Sequence, residues 1–197
     1  MPLIISPAKL ISELNLNYAE LINSLSEDRV LDPYIEIQTS FMDVDISADE
    51  DFRKTFTNFY KLRLPRGYNE LFDYFEKLKT LDVEFESILI ELQRITGRVE
   101  ASFSSKLLHT IDTTNPVIDR LVFAKLGWSL PKSTELQQIR KTVDIYNRLT
   151  KFYKNALENE KWKIISAQFE AKINYANYTI SEEKKLDTLL WKYDAYK

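Results

Sequence analysis

The chain contains no cysteine. That excludes disulfide bridges, thiolate catalysis and any zinc centre needing sulfur ligands. It is what a reducing cytoplasm permits, so the expected setting is cytoplasmic. Histidine is almost as rare, with only His109. A metal centre or a Ser-His-Asp system would need partners beyond its helical neighbours Ser102, Ser105, Lys106 and Asp112, so His109 reads as an ordinary half-buried histidine. No metal ligands and no cofactor are expected. Glycine is scarce, at 3 residues, which means few left-handed turns and long uninterrupted elements. No apolar run reaches the roughly 18 residues that a membrane-spanning helix requires, so no membrane partner is expected. The opening "MPLIISPAKLISEL" has an apolar run of three residues, broken by Pro7 and charges, and does not read as a signal peptide. P-loop, dinucleotide-fingerprint, zinc-ligand and GxSxG patterns are all missing.

What remains is an ordinary globular composition, 44% apolar and 29% charged over 197 residues, rich in Leu, Glu, Lys, Tyr and Phe. The expected architecture is a single all-α domain, 1–197, of about eight helices, with lobes 1–97 and 98–197 as an alternative division. Ser6-Pro7 starts a helix running to about Leu25, with an interruption near Asn15–Asn17 as an alternative. Residues 33–46 carry β-branched side chains in partial alternation, the one stretch that reads as extended. Ser47 and Glu50 form a capping box for a helix carrying Phe52, Phe56, Phe59 and Tyr60, which "LPRG" at 64–67 stops. Further helices are predicted at 68–80, from Asp82 to Gly97, at 98–111, 120–126, 134–157 with Ser133 as cap, 160–173, and from Ser181 onward. The last should bury Leu186, Leu189, Leu190 and Trp191.

The net charge of −3 hides an uneven distribution. Residues 1–97 hold 10 Lys and Arg against 18 Asp and Glu, whereas residues 98–163 hold 12 against 7. A basic middle in an acidic chain suits one face that meets an anion, although solvated helix surfaces also vary in charge.

The stretch "LQRITGRVEASFSSKLLHTIDTTNPVIDRLV", residues 92–122, reads as a helix, a tight Gly turn, a helix, a Pro-containing loop and an Asp opening another helix. It resembles the core of the helix-hairpin-helix DNA glycosylases, the superfamily of endonuclease III, 8-oxoguanine glycosylase and bacterial alkyladenine glycosylase. The resemblance implies that Pro116-Val117-Ile118-Asp119 carries the catalytic carboxylate, Asp119, 22 positions after Gly97. It also implies no cofactor beyond a monovalent ion at the hairpin carbonyls. This chain departs from the pattern at three points: Val99 replaces the second hairpin glycine, Arg98, Val99 and Glu100 stand where bifunctional members have a nucleophilic Lys, and the Pro-to-Asp spacing is one residue longer. Over most of its length the chain also resembles a group of uncharacterised bacterial proteins, through "FYKLR", "TGRVEASFSSKLL", "NPVID" and "KKLDTLLW".

The resulting expectation is a monofunctional DNA glycosylase. It would hydrolyse the N-glycosidic bond of a flipped damaged or modified base, in base-excision repair or in defence against modified phage DNA. Asp119 would stabilise the sugar cation. Gly97, Arg98, Arg140, Lys141 and Arg148 would hold phosphates of double-stranded DNA, and Tyr60, Trp128 and Arg63 would lie near the base. Lys106 is not read as a nucleophile, because a lysine on a packed helix ordinarily snorkels. The rival expectation is a non-catalytic helical domain that binds nucleic acid or another protein. Asp119 serves both, since a helix cap and a substrate carboxylate need the same ionised oxygen.

Overall fold

The computed structural model describes residues 5–62, 68–131 and 135–195. Among them stand ten helices and no strand: α1 Pro7–Glu27, α2 Asp32–Ser40, α3 Glu50–Phe59, α4 Tyr68–Leu78, α5 Phe85–Thr96, α6 Ala101–Ile111, α7 Arg120–Leu126, α8 Glu135–Leu157, α9 Glu160–Lys172 and α10 Glu182–Ala195. The all-α expectation holds. An isolated bridge between Tyr175 and Tyr178 is the one β-type pairing among the described residues.

Local chemistry explains most of the boundaries. Ser6 accepts from the Lys9 amide at 3.3 Å and Pro7 opens α1. Gly97 and Gly127 close α5 and α7 with φ of 70° and 71°, a backbone state that costs other residues. α3 starts slightly later than the capping box suggests. Asp45 takes the Ser47 hydroxyl at 2.5 Å, and Asp49 caps instead by accepting from the Phe52 amide at 2.8 Å. Asp82 lies within the irregular link 81–84 and does not cap α5, which Glu84 precedes without a side-chain cap bond.

Two expectations are corrected. Residues 33–46 are not extended, since α2 occupies most of the stretch. Pro33 sits in its first turn, and Tyr34, Ile37 and Phe41, at helical spacing, are all buried. The core-facing period is therefore helical, and the partial alternation of isoleucines misled. Trp191 is not buried with its leucine neighbours but is 37% exposed. Arg63, Pro65, Arg66, Gly67, Lys132 and Ser133, singled out from the sequence, lie outside the described residues.

One hydrophobic core runs through the described helices, from Leu10 and Leu14 of α1 to Leu186 and Leu190 of α10. α1 packs on α8, α9 and α10, so the two ends of the chain close on each other. α9 and α10 are tied by Lys185, which is 1% exposed and donates to Ser166, Glu170 and Glu182 at 3.1, 2.5 and 2.6 Å. This packing sets α10 beside α7, with α6 supporting the loop that leads into α7.

Candidate functional site

α6 presents Ser102, Ser105, Lys106 and His109, at spacings of three, four and seven, to the segment that precedes α7. The Ser102 hydroxyl donates to the Ile118 carbonyl at 2.7 Å, and the Ser105 hydroxyl accepts from the Ile118 amide at 2.9 Å. His109 is 1% exposed, not half-buried. Burial, reinforced by the Lys184 charge, pushes its pKa down to about 3, so the ring is neutral. Nδ1 then donates to the Asn115 carbonyl at 2.6 Å, and Nε2 accepts from the Tyr34 hydroxyl at 3.1 Å. Asn115 in turn donates to Asp112 at 2.9 Å, and the Thr113 carbonyl accepts from Ser181 at 2.8 Å. Four hydrogen bonds, three from α6 and one from Ser181, thus hold the loop from Asp112 to Ile118, and the Asn115–Asp112 bond braces it internally. A loop fixed this way delivers its last residue, Asp119, in one orientation.

Asp119 caps α7. Its Oδ1 accepts from the Leu121 amide at 2.7 Å and the Val122 amide at 3.4 Å. Both cap bonds fall on one oxygen.

The Asp119 side chain lines a cleft of about 610 Å³, within the range of small-molecule sites. The α1–α2 turn, the end of α3, α6, the start of α7 and α10 supply its walls. Four sequence stretches meet there: "FYKLR" contributes Phe59, Tyr60 and Lys61, "TGRVEASFSSKLL" contributes Lys106, "NPVID" contributes Val117 and Asp119, and "KKLDTLLW" contributes Lys184, Asp187, Thr188 and Trp191. Arg29 and Lys61, with φ of 48° and 51°, also line it. They are the two non-glycine residues with left-handed backbone among those described, and such strain, about 1–3 kcal/mol each, gathers at working sites.

The floor of the cleft is charged. Lys106 is 7% exposed, and its ammonium donates to the Tyr60 carbonyl at 2.9 Å. Burial holds it below the usual lysine range, opposed by the negative charges of Asp119 and Asp187, while Lys184 adds to the depression. Lys184 donates to Asp187 Oδ2 at 3.0 Å, both residues being buried. Its ammonium also lies over the rings of Tyr34 and Phe59, at 4.8 and 5.2 Å. Asp187 Oδ1 is buried without a hydrogen-bond partner. Such an orphan costs free energy and is found where a ligand or water completes it.

Of the sequence-predicted residues, Asp119 and Tyr60 meet in this cleft. Trp128 stands apart, packed between Phe123 and Phe152 at 5.9 and 5.7 Å. The Arg148 guanidinium lies 5.0 Å from its ring centre, and with Lys141 it borders a second, shallow groove of about 620 Å³ beside Ser129, Leu130 and Pro131. Arg140 is exposed on α8 and lines neither hollow. Gly97 and the exposed Arg98 sit at the α5–α6 turn, also outside both, and the Arg98 amide donates to the Thr96 hydroxyl at 3.2 Å. Lys106, Lys184, Asp187 and Trp191 are among the cleft residues that the sequence reading did not assign to the site. The signal for three of them was present, because Lys184, Asp187 and Trp191 share one helical face, at spacings of three and four, opposite the leucines of α10. No known family's sequence model matches the chain, nor does any curated protein or solved structure.

Proposed function

We propose that the chain is a monofunctional DNA glycosylase, hydrolysing the bond between C1′ and the base nitrogen of a nucleotide swung out of the duplex. The observation that carries this reading is the Asp119 carboxylate, anchored by one oxygen at the start of α7 and bordering a cleft large enough for a nucleobase. As the base departs, positive charge develops on the sugar. A fixed carboxylate stabilises that cation without having to reorganise, which is where such sites gain most. Phe59 and Trp191 offer faces on which an extruded base can stack. The Lys106 ammonium, tied to the Tyr60 carbonyl, contributes positive field beside the leaving base and takes no covalent part.

The test is base release from duplexes carrying deaminated, oxidised or alkylated bases, comparing wild type with Asp119→Asn. The substitution preserves shape and should lower the rate roughly 10²–10³-fold, the usual loss for one charge-stabilising group. Equal rates would remove Asp119 from the mechanism. Strand nicking at the abasic product, with borohydride trapping of the chain, would give Lys106 a covalent role instead. Salt-dependent duplex binding with no base released would leave a nucleic-acid binder without chemistry.

A further inference from the structure

Four carboxylates border the cleft, Asp28, Glu36, Asp119 and Asp187, and the glycosylase reading uses only one. Asp187 comes from α10, on a different wall from Asp119, and is 7% exposed. Its Oδ2 is fixed by Lys184 at 3.0 Å, while Oδ1 has no partner. Lys184 is itself immobilised over Tyr34 and Phe59. Asp187 thus lines the cleft with Oδ2 locked and Oδ1 buried with its acceptor capacity unused, an arrangement that a bound water completes. Lys106 and Lys184 bring positive charge beside Asp119 and Asp187.

We infer that Asp187 is the second catalytic carboxylate of the cleft, the general base that deprotonates the attacking water, with Lys184 as its positioning residue. The inference rests on the glycosylase reading and adds the nucleophile's half of the reaction. The C1′–N bond breaks and its electron pair leaves on the base. A water lone pair forms the new C1′–O bond, and the proton that water loses goes to Asp187. The departing base takes one proton from solvent at the cleft mouth, and Asp187 returns its own there. The sum is water plus nucleotide giving an abasic sugar and a free base. Carboxylate pairs flanking a glycosidic bond divide the work in this way in hydrolases of sugars.

The experiment measures single-turnover base release from the modified-duplex panel by wild type, Asp187→Asn and Asp187→Ala, the last with and without sodium formate. Asp187→Asn should lose roughly 10²–10⁴-fold, the range for a general base. Formate, small enough to occupy the vacated volume, should restore part of the Asp187→Ala rate. A purely structural Asp187 gives no formate rescue, and rates within a few-fold of wild type or losses without rescue overturn the assignment while leaving the glycosylase reading intact. No base release by wild type from any duplex overturns both. Because a lone buried Lys184 can prevent folding, the double variant Lys184→Met with Asp187→Ala, which removes both charges together, carries the same rescue measurement.

Discussion

His109 shows how one buried side chain can hold a site together without touching a substrate. It links α6, α2 and the loop before Asp119 through two hydrogen bonds, and its folded pKa of about 3 lies far below the ordinary 6.5. Between those values the unfolded chain binds more protons than the folded one. The stability that neutral His109 contributes is therefore complete above about pH 6.5 and declines as pH falls toward 3, by on the order of a few kcal/mol in all. Urea midpoints measured from neutral pH down to about pH 5 should fall for wild type. In His109→Gln, which retains a donor and an acceptor but does not titrate, that slope should flatten. Identical slopes would show that the ring is reachable by protons in the folded state. At this scale Asp119 was legible, because Asp before a short apolar helix is a cap signal. Lys184 and Asp187 share a helical face with Trp191, but that signal was outweighed, because a Lys and an Asp three apart on a helix most often form a solvated pair. Only the packing of Tyr34 and Phe59 over Lys184 makes this pair buried.

Among the elements, the short α7 was read correctly to the residue, and α2 was missed altogether. α7 has a capping acid at one end and a left-handed glycine at the other. α2 has no side-chain cap, and the residue before it, Leu31, is already helical in backbone. Helices that lack start signals are set by the core that receives them, here the pockets for Tyr34 and Ile37. The hairpin between α5 and α6 is the element the glycosylase resemblance leans on most, and its glycine is open to a clean measurement. A methyl group at Gly97 would meet nothing within 4 Å, so Gly97→Ala isolates the conformational cost of φ at +70°. That cost should be about 1 kcal/mol, read as a fall in melting temperature of about 2–4 °C for a chain of this size. A much larger fall would mean that the turn sets the position of α6 and with it the clamp on Ile118.

For the whole molecule, what matters is how the two hollows sit relative to α7. The Asp119 cleft opens at its first turn, and the Trp128–Arg148 groove lies just past its last. A seven-residue helix is roughly 10 Å long, about three nucleotide rises along one strand. A strand whose extruded base enters the cleft could therefore lay neighbouring phosphates against Lys141 and Arg148. Such a path would give the basic middle of the sequence a specific use that its charge count alone did not provide. If the groove carries phosphates, duplex affinity falls linearly with the logarithm of salt concentration, as counterions are released for each contact. Arg148→Ala should weaken binding to all duplexes about equally and reduce that slope by about one, while leaving single-turnover base release at saturating protein nearly unchanged. Asp119→Asn should do the reverse, sparing the slope and lowering the rate. Fluorescence anisotropy on a labelled duplex over a salt series measures the first, and product release measures the second. If both substitutions alter only the rate, or both only the slope, the two hollows do not divide binding from chemistry, and the strand must follow another path across the protein.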